Sequence, residues 1–136
     1  MTDRFQTRFD DLLEEFDLFD DWEERYRHII DLGKSLTPLE DSERTDETRV
    51  RGCASQVWLV FDKGPEGVLR FRGDSDAHIV KGLIAVLVRL LDGLPVSEVR
   101  DFSIRDTLTR LGLDEALSSQ RTNGLISMVE RIKQVV

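Results

Sequence analysis

Apolar residues recur at helical spacing in the first quarter of the chain. One such face consists of Phe5, Phe9, Leu12, Leu13 and Phe16, which predicts an amphipathic helix. A second helix is predicted between the cap residue Asp21 and Gly33. Its apolar side consists of Trp22, Tyr26, Ile29 and Ile30. Because few residues separate the two helices, we expect them to pair as an antiparallel hairpin.

Strand patterns follow a charged segment, residues 36–48, that is predicted to be a solvated loop. Residues 56–62 contain a continuous apolar run, which is typical of a strand covered on both faces. Residues 68–72 alternate, with Leu69 and Phe71 pointing inward. A turn joins these segments, so we predict a β-hairpin, with residues 49–51 as a candidate third strand.

The second half of the chain is mainly helical in pattern. Gly73–Asp76 is predicted to end the hairpin and to cap a helix over residues 77–92, which is apolar nearly all round and should be the buried centre. A short helix is predicted between Ser103 and Gly112, and a last helix from Thr122 onward. The element order predicts one α+β domain over residues 1–136, with a small antiparallel sheet packed against helices.

Charge is distributed unevenly along the chain, whose net charge is −8. Residues 1–47 hold 16 acidic against 6 basic side chains, whereas residues 48–136 hold 11 against 13. An acidic chain repels phosphate backbones, so nucleic acid is not expected as a partner. The acidic part is either a solvated face or a docking surface for a basic partner.

The residue inventory also excludes several kinds of site. The most apolar stretch, residues 79–91, is too short to cross a bilayer, and no signal-peptide pattern is present, so we expect a cytoplasmic protein without a membrane partner. One cysteine and two histidines cannot form a structural zinc site or hold an iron–sulfur cluster. No phosphate-binding or dinucleotide motif occurs. We therefore expect no metal and no cofactor.

The single cysteine, Cys53, lies between the charged loop and the first strand, next to Gly52. The glycine gives the backbone room to turn, and a loop thiol is accessible to other molecules. We expect Arg49 and Arg51 to favour the thiolate. The alternative is an inert, buried thiol.

Other cysteine chemistries need residues that this sequence does not clearly supply. A peptidase needs a histidine held against the thiol, for which His78 is the candidate. A peroxidase or a disulfide oxidoreductase usually needs a second cysteine. A thiol that accepts a group and passes it to another protein needs neither.

Four stretches make the sequence resemble the SufE family of sulfur-acceptor proteins over nearly its whole length. They are residues 22–33, Gly52–Trp58, residues 73–86 and Arg121–Leu125. The resemblance implies a SufE/IscU-like fold and the cysteine Cys53 as sulfur acceptor. It implies that a SufS-type, pyridoxal-phosphate-dependent cysteine desulfurase supplies persulfide sulfur and is stimulated in return. It further implies delivery to a SufB or SufBCD-type scaffold for iron–sulfur cluster assembly, and a resting loop that tucks the thiol into an apolar cavity.

Six further residues are expected at the cysteine loop or facing a partner: Arg51, Gly52, Ser55, Gln56, Asp74 and Arg121. Asp74 and Arg121 match charged surface positions of the family, although Asp74 is also typical of a helix cap. A cation at the start of a helix opposes the helix dipole. Arg121 is therefore expected to have a specific partner, with an ordinary ion pair as the alternative.

Two other functions remain open at this point. One is a thiol peptidase or peroxidase that acts without a partner. The other is a non-catalytic adaptor that binds a desulfurase through the acidic face, with Cys53 incidental.

Overall fold

The computed structural model describes residues 4–114 and 117–136. Its helices and strands are α1 (Arg4–Phe16), α2 (Trp22–Gly33), β1 (Val57–Phe61), β2 (Phe71–Ser75), α3 (His78–Leu91), α4 (Val96–Arg100), α5 (Ile104–Leu111) and α6 (Ser119–Val135). Within these residues, β1 and β2 form a two-stranded antiparallel sheet. The predicted fold class, an α+β fold with a small antiparallel sheet and helices, is confirmed.

The centre of the fold is α3, as its sequence predicts. Ten of its 14 residues are buried, and they lie on all sides of the helix. The neighbours α1, α2 and β2 all pack against it. An apolar helix is stable in water only when other elements cover its apolar faces, and these three elements contribute to that cover here.

Two glycines let α2 and α3 approach until their backbones touch. A Cβ atom on Gly82 would lie 2.0 Å from the carbonyl oxygen of Ile29, and one on Gly33 would lie 2.6 Å from the amide nitrogen of Gly82. This contact explains why α2 packs chiefly on α3. The predicted pairing of α1 with α2 is therefore only a minor contact, made where Glu15 meets His28.

The position of β2 differs from the sequence prediction by three residues. Residues 67–69 do not pair with β1; Leu69 bonds through its backbone to Gly93 and Leu94 instead, at 2.7 and 2.9 Å. The strand begins at Phe71, so Gly73 lies inside it. A Cβ atom at that glycine would lie 2.8 Å from Ile84 Cγ2, so close packing on α3 fixes glycine there. Leu69 and Phe71 are buried, as predicted.

Other element boundaries also shift. Because Gly73–Ser75 belongs to β2, it does not cap α3, which begins after Ala77 without a side-chain cap. Helix α6 begins three residues before the predicted Thr122, since the Ser118 hydroxyl accepts a bond from the amide of Arg121 at 3.3 Å. The short helix α5 has its predicted ends, with a Ser103 cap and a left-handed Gly112.

The outer parts of the sheet are less regular than expected. The candidate third strand is reduced to a single bridge between Arg49 and Trp58. Strand β1 is fully covered on one face only, because Val57 and Leu59 are buried whereas Trp58 is not. None of the helices in the described ranges is long and apolar enough to cross a membrane.

Candidate functional site

Cys53 lies near the tip of a short loop whose two ends are fixed by the sheet. We call residues 51–56 the cysteine loop. The amide of Val50 donates to the carbonyl of Val57 at 2.8 Å and closes the loop at its base. Where the loop returns to the sheet, the backbone carbonyl of Gln56 accepts a bond from the Ser75 hydroxyl at 2.7 Å. The backbone amide of Gln56 donates to the Asp76 carboxylate at 3.0 Å. The sheet therefore holds the base while the tip extends beyond it.

Gly52 turns the tip of this loop toward α6. Its φ is +88°, a left-handed conformation that other residues adopt only with strain. A Cβ atom there would also lie 2.6 Å from Ser127 Oγ. Glycine is therefore required at residue 52 by the backbone conformation and by the contact with α6.

The thiol of Cys53 is half-buried against α6. Its Sγ donates to the carbonyl oxygen of Gly124 at 3.5 Å. Burial raises the pKa of the Cys53 thiol, because a thiolate loses hydration there. The expectation that Arg49 and Arg51 favour the thiolate is wrong, since Arg51 is exposed and burial is the cause that acts on this pKa. The resting form is the neutral thiol.

A cavity of about 130 Å³ adjoins the thiol. Besides Cys53, it is lined by Ala54, Ser55, Val57, Val80, Leu83, Gln120, Arg121, Gly124 and Met128. About 15 Å³ by the same measure admits one water molecule, so an atom added to Sγ fits. The walls from β1 and α3 are apolar, whereas the start of α6 supplies a cation. We call this cavity the thiol pocket.

Arg121 is the cation in the wall of the thiol pocket. Its guanidinium carbon lies 5.5 Å from the centre of the Tyr26 ring, a distance at which a cation is attracted to the ring face. It forms no ion pair with any residue in 4–114 or 117–136. The specific partner expected for Arg121 is therefore an aromatic ring on α2, and the guanidinium charge stays unneutralised by the described carboxylates.

Asp74 does not lie on the surface, which corrects the sequence prediction. Only 1% of the residue is exposed. Its Oδ2 accepts bonds from Arg44 Nη2 at 2.7 Å and from the Leu39 amide at 3.1 Å. Its Oδ1 accepts from the Ser75 amide at 2.8 Å and lies 3.4 Å from Lys81 Nζ. Such partners are what a buried carboxylate needs.

These bonds determine the ionisation and the role of Asp74. Burial by itself would raise the pKa of this carboxyl, but the bonds from Arg44, Leu39 and Ser75, together with the charge of Lys81, hold the pKa below its usual value. Asp74 is therefore an ionised anchor that ties residues 39–44 to β2. It does not cap α3, and its burial leaves almost none of the side chain exposed to a partner.

The remaining predicted residues are distributed around the thiol. Ser55 lines the thiol pocket, whereas Arg51, Gly52 and Gln56 are exposed on the cysteine loop. His78 is exposed and does not line the pocket. No cluster of three or more metal-ligating side chains occurs in the described part of the chain.

Sequence analysis missed one residue that contacts the thiol directly, Gly124. A Cβ atom there would lie 3.6 Å from Cys53 Sγ. Its signals were a glycine within a helical pattern, which often marks a close approach, and its place in the Arg121–Leu125 stretch that resembles the SufE family.

The sequence that forms this site matches a known protein family. Residues 10–136 match the SufE family, which is described as an Fe-S metabolism associated domain. The chain belongs to the SufE family. Membership in the SufE family associates it with iron–sulfur metabolism and confirms the resemblance seen in the sequence.

Similar chains cover almost the same length. An uncharacterized SufE-like protein of Rhizobium etli is 47% identical over 133 residues, which are 96% of this chain and 90% of the relative. An uncharacterized SufE-like protein of Rhizobium meliloti is 45% identical over 130 residues, which are 93% of each chain. The solution structure of a hypothetical protein from Thermus thermophilus has a TM-score of 0.75 at 20% identity, covering 93% of this chain and 91% of that one. At that identity the structural match shows a shared fold.

Proposed function

We propose that this chain is a sulfur carrier that uses Cys53. In the proposal, Cys53 takes persulfide sulfur from a pyridoxal-phosphate-dependent cysteine desulfurase of the SufS type and stimulates that enzyme. It then delivers the sulfur to an iron–sulfur scaffold of the SufBCD type, in the cytoplasm. The observation that carries the proposal is a lone thiol on a loop fixed at its base, beside a cavity with room for one more sulfur atom.

The transfer balances without any redox partner. The Cys53 thiolate attacks the outer sulfur of the desulfurase persulfide, and an S–S bond forms between Sγ and that sulfur. The S–S bond inside the donor persulfide breaks, and the donor cysteine leaves as a thiolate with the electron pair. One thiolate is consumed and one is released, so the step needs neither an oxidant nor a reductant.

Burial of the thiol has two consequences under this proposal. Before transfer, the raised pKa of Cys53 keeps it protonated and a poor nucleophile. The loop must therefore leave the thiol pocket; among the hydrogen bonds of the described residues, the one that the thiol itself loses is the long Sγ–Gly124 bond. After transfer, return to the pocket shelters the new persulfide from stray thiols.

The test is a sulfur-transfer assay read by intact mass. The wild-type chain and Cys53→Ser are each incubated with a cysteine desulfurase and free cysteine, and their masses are measured without reductant. We expect the wild type to gain one sulfur atom and to raise desulfurase turnover, and the variant to do neither. Adding the scaffold protein should then return the wild type to its starting mass.

Two results would favour the alternative functions. An equal rise in desulfurase turnover with Cys53→Ser identifies a non-catalytic adaptor. Peptide hydrolysis or peroxide consumption by the chain alone identifies a self-sufficient thiol enzyme. For the latter, the described residues place no histidine at Cys53, since His28 is bonded to Glu15 at 2.5 Å and His78 is exposed.

A further inference from the structure

The turn between α1 and α2 and the start of α2 each expose one large apolar side chain. Leu18 is 77% exposed and Trp22 is 53% exposed. Elsewhere in the described residues, Val135 near the chain end is the other exposed large apolar side chain. We call Leu18 and Trp22 the apolar corner. Two such side chains only four positions apart lie outside the core and are typical of a surface that binds another molecule.

Trp22 was expected to lie on the covered side of α2. The contact between α2 and α3 is made at the other end of α2, where Ile29 and Gly33 meet Gly82. The first turn of α2 therefore extends beyond the core, and the Trp22 ring lies at the surface.

Negative charge surrounds the apolar corner. Residues 17–24 hold five acidic side chains and no basic one, and all five are exposed: Asp17, Asp20, Asp21, Glu23 and Glu24. A cavity of about 410 Å³ lies beside Trp22 and is also lined by Asp20, Asp21 and Asp114. A complementary occupant of this surface therefore carries positive charge.

Arg25 is the one cation among the described residues of that cavity wall, and its hydrogen bonds link two parts of the wall. Arg25 Nε donates to the Phe19 carbonyl at 3.1 Å, and Nη1 donates to the Leu111 carbonyl at 2.9 Å. These bonds join the α1–α2 turn to the end of α5. The guanidinium also fills the place that a Cβ atom on Gly112 would take. The cavity is thus formed before any partner binds, which lowers the entropy lost on binding.

Tyr26 lies between the apolar corner and the thiol pocket. Trp22 and Tyr26 are four residues apart on α2, so their Cβ atoms are about 6 Å apart on one face. The Tyr26 ring in turn holds Arg121 of the thiol pocket. A standard protein interface buries about 800 Å² on each partner, a patch about 30 Å across. One partner can therefore cover Cys53 and the apolar corner together.

We infer that the apolar corner is a second contact for the protein that delivers sulfur to Cys53. The inference rests on the proposed function, so that this partner is the desulfurase. The occupant is a basic segment of the desulfurase, with a Lys or Arg side chain on the Trp22 ring between Asp20 and Asp114, and an apolar side chain against Leu18. Cations bind indole faces more strongly than other rings. The corner sets affinity, whereas Cys53 performs the transfer.

The test compares desulfurase stimulation as a function of the concentration of the full chain. For Trp22→Ala, we expect the half-saturating concentration to rise about tenfold or more, as for a central interface tryptophan. For Asp20→Lys, we expect a rise of about threefold or more that shrinks at high salt. The maximal stimulated rate should stay unchanged in both. Matched controls are Val135→Ala and Glu66→Lys, which make the same kinds of change at other exposed positions and should change neither quantity.

Each of the other possible outcomes overturns the inference. If the wild type gains sulfur and stimulates the desulfurase while both corner variants keep half-saturating concentrations within twofold, the inference is overturned and the proposed function stands. If the maximal rate falls at constant half-saturation, the corner acts on the chemistry and the inference is overturned. A wild-type dimer in sedimentation that Trp22→Ala dissociates would make the corner a self-association surface instead. Failure of the wild type to accept sulfur removes both proposals.

Discussion

Two consecutive loops precede β1, and they are held in opposite ways. We call residues 39–48 the anchored loop; it is tied to β2 by the buried Asp74 and by Arg72, which bonds Glu43 at 2.6 Å. The cysteine loop that follows is fixed at its base, and among the described residues the thiol at its tip forms one hydrogen bond, of 3.5 Å. Buried hydrogen bonds thus stabilise the chain just before the cysteine loop. Under the proposed function, the weakly held tip is the part that moves to reach a partner.

Removing the buried carboxylate of Asp74 should have the largest effect on stability, because it releases the anchored loop. In Asp74→Ala, the Leu39 amide loses its acceptor, and Arg44 and Lys81 lose their counter-ion. We expect the free energy of unfolding to fall by about 3 kcal/mol, at the low end for a broken buried pair because Arg44 stays partly solvated. Urea denaturation measures this loss. Asp41→Ala is the control, since Asp41 is exposed and lies 3.8 Å from Arg44; equal losses would show that the anchored loop is not anchored by Asp74.

The same anchor should respond to acid. Because the pKa of Asp74 is lowered in the fold, its stabilisation is fully present above the unfolded-state pKa of about 4. It is lost as the pH falls through the lower, folded value. The difference in unfolding free energy between wild type and Asp74→Asn should therefore be constant from about pH 7 to 5 and shrink below about pH 4. A difference that grows in acid would contradict the assignment.

Two glycines allow a test of how the tip of the cysteine loop is held. Gly52 and Gly67 both have positive φ, but a Cβ atom meets Ser127 only at Gly52. Each change to alanine should cost about 1–2 kcal/mol of backbone strain, and Gly52→Ala should cost more. The excess should vanish in the Gly52→Ala, Ser127→Ala double variant. Faster alkylation of Cys53 in Gly52→Ala would show that the mobile tip relieves the clash by leaving the thiol pocket.

The smallest expected effect concerns the arginine beside the thiol. The pH dependence of Cys53 alkylation should have its midpoint higher in the folded protein than in urea, because burial raises the pKa. Arg51→Ala should leave that midpoint unchanged, since Arg51 is exposed. A midpoint that rises in Arg51→Ala would restore the view that this cation promotes the thiolate.

Local patterns were sufficient to predict much of the fold and less of the site. Helices with a clear apolar period and a capping residue, such as the Asp21 cap of α2, have the predicted starts. Gly73 and Asp74 are turn formers in isolation, yet pairing with β1 and packing on Ile84 place them in a strand. Two of the partners of Asp74, Arg44 and Leu39, lie 30 and 35 positions earlier in the chain.

The candidate site, too, could be predicted only in part from local sequence. Cys53 could be singled out because the chain has one cysteine, with a glycine beside it. The pocket that raises its pKa could not, because its walls come from β1, α3 and α6. The exposure of Trp22 likewise depends on where α3 ends its contact with α2, which a helical period does not encode.

The contact between Gly33 and Gly82 has a consequence at a distance. Because two backbones meet there, no side chain can compress to absorb an added methyl group. A substitution at residue 82 must therefore displace α2 as a whole, and with it Tyr26 and the guanidinium of Arg121 above that ring. The dimensions of the thiol pocket are thus set partly by Gly82, which does not line it. A redesign confined to the lining residues would leave that determinant in place.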